Sequence, residues 1–151
     1  MTELLDALRQ RNPQLSDLLL KPLLDFLLVA HDATHGDLEL HIILLTIAVR
    51  TVEHPDFPNL SMEDRLGGVP IFPTLGVNAR SIAESSGIPR ETVRRKVADL
   101  VRDGRIVREG ANLHFTARAF AESTVVRTAI ERLAVQYYEV LRQEAARLPP
   151  E

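Results

Sequence analysis

The stretch Pro89-Arg90-Glu91-Thr92-Val93-Arg94-Arg95-Lys96 gathers four cations and one carboxylate within two turns of a helix. Those residue types suit the reading of base edges. An arginine guanidinium can donate to guanine O6 and N7 together, and a glutamate can accept from cytosine N4. Arg90, Glu91 and Thr92 fall in the first turn, nearest the bases if the helix enters a major groove by its N-terminus, with Arg94 and Arg95 one turn on. Glu91 is the informative residue, because a carboxylate facing phosphates costs affinity and so argues for base reading. The bland alternative is that Glu91 only favours the helix N-terminal dipole, worth under about 1 kcal/mol. Arg94, Lys96, Arg102 and Arg80 are expected at phosphates or in solvent. Farther along, Arg105, Arg108, Asn112 and His114 are candidates for the nucleic-acid backbone or the minor groove.

A second constellation is His31-Asp32-Ala33-Thr34-His35, with Asp37 and His41 close in sequence. It is the zinc-protease spacing with Asp in place of Glu. That chemistry needs both histidines on one continuous helical face and a third ligand. Gly36 follows at once, so the stretch reads as a helix end, and a regulatory metal is a weaker expectation than ordinary surface histidines. There is no cysteine, hence no thiolate metal site and no cysteine nucleophile. No glycine-rich phosphate loop, nucleophile elbow or paired-carboxylate site stands out. The expectation is therefore a non-enzyme without cofactor or metal. Thr46, Arg50 and Glu53 are polar residues on an apolar helix. They either line a pocket for an unknown small-molecule effector or satisfy one another.

The elements that must position the cationic stretch are legible around it. Asn78 is a suitable N-cap, Ile82 and Ala83 give a first short helix its apolar side, and Gly87 supplies the positive φ of a tight turn. Ile88 plugs the corner, and Pro89 stands at the entrance of a second helix, residues 89–103. Val93, Val97, Leu100 and Val101 form its buried stripe; Arg90, Glu91, Arg94, Arg95 and Lys96 face outward. Residues 105–108 and 113–116 flank Glu109-Gly110-Ala111-Asn112 and read as a hairpin, a wing over 105–116. The whole, residues 78–116, is the pattern of a winged helix-turn-helix.

The segment SIAESSGIPRETVRRKVADL resembles the DNA-reading segment of Crp/Fnr-type transcription regulators, with Gly87 on the turn glycine and Arg90-Glu91-Thr92-Val93 and Arg95 on the recognition-helix pattern. Leu100 with Gly104-Arg105-Ile106-Val107 resembles the helix end and wing entry of MarR- and GntR-type regulators. The similarity spans about a quarter of the chain. It departs at Lys96, where the Crp/Fnr pattern usually carries an apolar residue, and no cyclic-nucleotide barrel accompanies it. The resemblance implies base-reading roles for Arg90, Glu91 and Arg95.

The remaining chain supplies the scaffold. Residues 1–53 read as an N-terminal helical region: an amphipathic helix over 2–10 with Leu4, Leu5 and Leu8, then a leucine-rich helix over 15–31, bent or restarted at Pro22. A third helix over 37–53 carries a stripe of Leu38, Ile42, Leu45, Val49 and Val52, widened by Leu40, Ile43, Leu44, Ile47 and Ala48. A helix apolar over most of its girth is expected inside the core. Residues 54–77 read as an ordered loop, with one helical turn between Ser61 and Gly68 and with Phe57, Leu60, Ile71 and Phe72 pinned to the core; the functional alternative is a lid over a ligand pocket. Residues 117–151 read as a C-terminal dimerisation helix ended by Pro149-Pro150, with Phe120, Ile130, Leu133, Tyr137, Leu141 and Leu148 recurring along it.

The 151 residues suit one compact domain. Net charge is −3, yet residues 78–118 hold nine Lys and Arg against five Asp and Glu. An acidic body with one basic module is consistent with specific DNA binding. The first residues lack the features of a signal peptide, and the apolar runs are interrupted or too short for a bilayer. The expectations are a mainly α fold with a small β-wing, a cytoplasmic location without membrane contact, a homodimer, and double-stranded DNA as partner. The alternative is a winged-helix protein–protein interaction module.

Overall fold

The computed structural model describes residues 2–146, with side chains from Leu5 onward. It is mainly helical, with one two-stranded antiparallel sheet. In chain order the elements are α1 (Thr2–Arg11), α2 (Leu15–Ala33), α3 (Leu38–Val52), α4 (Ala79–Ser86), α5 (Arg90–Arg102), β1 (Ile106–Glu109), β2 (Asn112–Phe115), α6 (Ala117–Glu122) and α7 (Thr124–Ala146). The chain divides into two compact units, one made of α1, α2 and α7, the other running from Thr34 to Thr124. Leu148 and the helix stop expected at Pro149-Pro150 lie outside the described residues, as does the side chain of Leu4.

Local signals start and stop the elements of the Thr34–Thr124 unit. Asp37 caps α3, its carboxylate accepting the Leu40 N–H at 2.9 Å. Asn78 and Ser81 cap α4 reciprocally: Asn78 Oδ1 accepts the Ser81 N–H at 2.9 Å, and Ser81 Oγ accepts the Asn78 N–H at 3.1 Å, which satisfies donors a helix start leaves orphaned. Gly87 ends α4 at φ 73°, a conformation that strains any residue with a Cβ. Gly110, at φ 59°, turns the chain between β1 and β2. The strands pair from Ile106↔Phe115 to Glu109↔Asn112.

The core of this unit collects one apolar face from each element. Ile43 and Ile47 of α3, Ile82 of α4, Val93 and Val97 of α5 and Ile106 of β1 are completely out of water. Phe72, from the loop before α4, is the aromatic centre. Its ring meets Phe57 edge-on at 5.7 Å and Phe120 at 5.8 Å. The loop earns its order through backbone contacts as well. The Phe72 N–H donates to the Phe115 carbonyl at 3.0 Å and the Leu113 N–H to the Val77 carbonyl at 2.8 Å, so residues 72–77 run along the outer edge of β2. Within the loop, Phe57–Asn59 and Asp64–Gly68 form short helical turns, the second where the Ser61–Gly68 spacing predicts one. Thr116 ties three elements together. Its hydroxyl donates to the Gly104 and Arg105 carbonyls and accepts from the Ala119 N–H, capping α6.

Four expectations need correction. Val101, read into the buried stripe of α5, is 37% exposed. The outer stripe of α3 is not in the core: Leu38, Ile42, Leu45, Val49 and Val52 are 39–51% exposed, while Ile43, Ile47 and Thr51 are buried. Both sides of this helix are apolar, so periodicity alone does not decide which one packs. The C-terminal helix is not continuous from residue 117. It breaks at Ser123, whose N–H is shared among earlier carbonyls, and the Ser123 and Thr124 hydroxyls donate to the Phe120 and Ala121 carbonyls. Such back-bonding competes with the helical ladder. Pro22, by contrast, neither bends α2 into two helices nor stops it.

Truncating the aromatic centre should be costly. We expect Phe72→Ala to lower the unfolding free energy by about 3–5 kcal/mol, read as a shifted midpoint in urea.

Candidate nucleic-acid interface

The rotation of α5 is set by its buried side. Val93, Val97 and Leu100 point into the core, which leaves Arg90, Glu91, Arg94 and Arg95 exposed on the opposite side and Thr92 between them. Glu91 and Arg94 hold each other in a two-point contact, Arg94 Nε to Oε2 at 3.0 Å and Nη2 to Oε1 at 2.7 Å. The Arg94 hydrogen bonds pull the Glu91 carboxyl below its ordinary range, and Glu91 raises the Arg94 guanidinium in turn. The pair stands in open solvent, so its contribution to folding is small. Arg80 is likewise held by Glu84 at 2.7 Å, and Arg102 by Asp99 at 2.9 Å. Among the described residues, Arg90, Arg95 and Arg108 make no ion pair. Ala79, Arg80, Arg90, Glu91 and Arg94 line an open depression of about 440 Å³ where the N-terminal turns of α4 and α5 meet.

The other predicted residues fall into two groups. Arg108 and Asn112 are exposed beside the hairpin turn, where they can meet an external ligand. Lys96, Arg105 and His114 are turned to structural tasks. The Lys96 side chain is only 10% exposed, and its ammonium contacts Asp37 and, at 3.6 Å, Glu39. It does not stand on the outward face. Its position on α5 belongs to the inner side with Val93, Val97 and Leu100, and a lysine fits there because its aliphatic stem packs while its head reaches the start of α3. Arg105 Nε lies 2.8 Å from Glu122, and Arg118 shares the same carboxylate at 2.8 Å, so β1 is fastened to α6. His114 Nδ1 meets the Phe72 carbonyl at 3.0 Å. A carbonyl only accepts, so this nitrogen carries the proton and the ring holds the loop instead of facing outward.

Asp37 and Glu39, the partners of Lys96, and Glu122, the partner of Arg105, are structural supports that local pattern does not pair with these cations. Lys96 and Asp37 are 59 positions apart, and only the capping role of Asp37 has a sequence signal. Burial pushes the Asp37 carboxyl upward, but hydrogen bonds from Lys96 and the Leu40 N–H outweigh it and hold the group below the usual carboxylate range.

The histidine constellation is not assembled on one helix. α2 ends at Ala33, so His31 lies in its last turn, while His35 stands beyond it at φ 50°. His41 is half-buried on α3, and burial lowers its imidazole pKa. Among the described residues, no group of three His, Cys, Asp or Glu is placed to hold a metal ion. Arg50 and Glu53 pair at 3.0 Å, and Arg50 also donates to the Leu75 carbonyl. Thr46 donates to the Ile42 carbonyl of its own helix. Thr46, Arg50 and Glu53 thus bond within α3 and to the loop beside it.

Comparison with protein-family models, curated proteins and solved structures finds no match to this chain.

The Lys96 geometry separates scaffold from interface. Lys96→Met, which keeps the buried stem, should change stability by less than about 1.5 kcal/mol, whereas Lys96→Glu places an anion beside Asp37 and Glu39 and should cost about 3–5 kcal/mol. Because the Asp37 pKa is depressed, its contribution is present above its unfolded value near 4 and is lost as pH falls through the folded value. Urea titrations of wild type and Lys96→Met from pH 6 downward should therefore converge in the acid limb.

Proposed function

We propose that this protein is a winged helix-turn-helix transcription regulator that binds double-stranded DNA sequence-specifically as a homodimer. The observation that carries the reading is the outward side of α5: two unpaired guanidiniums, Arg90 and Arg95, stand beside the Glu91–Arg94 pair at the exposed N-terminal half of a helix held by its opposite side. The helix enters the major groove by that end. Arg90 and Arg95 donate to guanine edges, Thr92 lies at the margin, and Glu91 accepts from a cytosine amine or keeps Arg94 aligned. Arg108 and Asn112, at the tip of the hairpin, lie on the backbone or in the minor groove. Arg80 and Arg102 supply phosphate contacts once their carboxylate partners are exchanged. In the dimer two such helices meet successive major grooves about 34 Å apart.

The second reading gives the exposed apolar residues of α3 a protein partner, which would make the unit an interaction module without DNA. The five-residue stripe from Leu38 to Val52 favours that second reading, because it is larger than scattered surface apolar residues require. Salt separates the two. DNA binding should weaken steeply as salt rises, with a slope set by the number of phosphates contacted; a protein-only module would shift no DNA even at low salt.

Arg95→Ala should weaken binding to a selected site by about 1–3 kcal/mol and reduce discrimination at one base pair. Glu91→Ala should do the opposite to non-specific DNA, raising affinity by releasing Arg94, while specificity falls. Electrophoretic shifts against selected and scrambled duplexes measure both, and equal affinity of the wild type for the two duplexes would refute base reading.

A further inference from the structure

We infer that the leucine face of α2 is the contact through which two copies of this chain associate. The inference rests on the dimer of the preceding reading and not on its DNA contacts. Leu20, Leu23, Leu24, Leu27 and Leu28 are 61, 40, 55, 42 and 54% exposed. They share one side of the helix; the buried residues Leu15 and Pro22 lie on the other, and buried Ala30 borders the Leu23 edge. Most helices are held by packing of their apolar side; here a second apolar side faces water, beyond the inner one of Leu15, Leu19, Pro22 and Phe26. The five side chains leave on the order of 500 Å² of apolar surface, near the upper end of the largest patch on an ordinary monomer. It is more than half of the about 800 Å² that each partner of a stable complex covers.

The arrangement on this side is self-complementary, which selects a second copy as the occupant. Asp17, Leu20, Leu24, Leu28 and His31 lie symmetrically about Leu24, and all five are exposed. Two antiparallel α2 helices related by a two-fold axis at Leu24 set Leu20 against the partner's Leu28 and Asp17 against the partner's His31. Each contact then occurs twice, as an isologous interface requires. Asp17 and His31 stand about 10 Å to either side of the axis, so both ends pair a carboxylate with an imidazole. A parallel arrangement would oppose Asp17 to itself. Leu20, Leu24 and Leu28 form one four-residue ridge along the contact. A lipid surface fits less well, because a membrane-bound helix carries cations along its polar margin, whereas α2 has Lys21 among Asp17, Asp25 and Asp32.

The test uses the full chain in sedimentation velocity, together with cross-linking that exploits the absence of cysteine. Wild type should sediment as a dimer, and Leu24→Glu should weaken that dimer by about tenfold or more. Leu24→Cys should form a cross-linked dimer under mild oxidation, while Leu18→Cys, away from this side, should not. The cross-link remains decisive if Leu24→Glu fails to fold. A monomeric wild type, a dimer indifferent to Leu24→Glu, equal cross-linking at Leu18 and Leu24, or a monomer that pellets with anionic phospholipid vesicles would each overturn the inference. A Leu24-dependent dimer that binds no DNA would leave this contact standing and remove the DNA reading. Specific DNA binding by a strictly monomeric chain would do the reverse.

Discussion

The rotation of α5 about its own axis is the constraint on which the candidate interface depends. Val93, Val97 and Leu100 can be buried together only when that side of the helix faces Ile43, Ile47, Ile82 and Ile106. Once they are, the helical period leaves Arg90, Glu91, Arg94 and Arg95 in solvent. The turn at Gly87 and the cap at Asn78 hold α4 against α5, and Ile88 fills the corner. None of these four exposed residues needs to fix its own backbone. The cations stay available for a ligand because apolar residues on the other side do the positioning.

Charge is distributed by the same logic. Carboxylates accompany most of the cations in residues 78–118, but at different depths. Lys96 and Arg105 are taken up by partners on other elements, Asp37 and Glu122, and contribute to the scaffold. Arg80, Arg94 and Arg102 are held by carboxylates one turn away on their own helices, in solvent, where such pairs are weak and exchange readily for phosphate. Arg90, Arg95 and Arg108 are left over. A chain of net charge −3 can therefore present a cationic face without a large field elsewhere that would attract nucleic acid indiscriminately.

What could be read in the sequence was what is decided within a few residues. The Asn78 cap, the Gly87 turn, the Gly110 hairpin turn and the two periods around them are local, and the helices and the small sheet stand where those signals place them. The side on which a residue ends is decided at long range. Lys96 looks like its cationic neighbours until Asp37 arrives from 59 positions away. His114 looks like a wing tip until the Phe72 carbonyl meets it across 42 positions. The edge of β2 is occupied by residues 72–77 with no alternation to announce it, because those bonds are made by backbone. The break at Ser123 needs no Gly or Pro; two hydroxyl side chains suffice.

The exposed apolar residues of α2 and α3 have different standing. α3 is anchored through Ile43, Ile47 and Thr51, all at 1% exposure or less, so its stripe of Leu38, Ile42, Leu45, Val49 and Val52 can remain in water while the helix stays folded. α2 is anchored less completely. Its buried residues are Leu15, Pro22 and Ala30, with Leu19 and Phe26 half-buried beside them, and the proline removes a hydrogen bond from the helix interior. A leucine-rich helix with an outer apolar face as wide as its inner one is incompletely stabilised by its own chain. The proposed association therefore falls on the unit of α1, α2 and α7, while the unit that carries α5 holds its own core. In the proposed dimer, association and recognition fall to different units, so a change that dissolves it would leave the orientation of Arg90 and Arg95 intact.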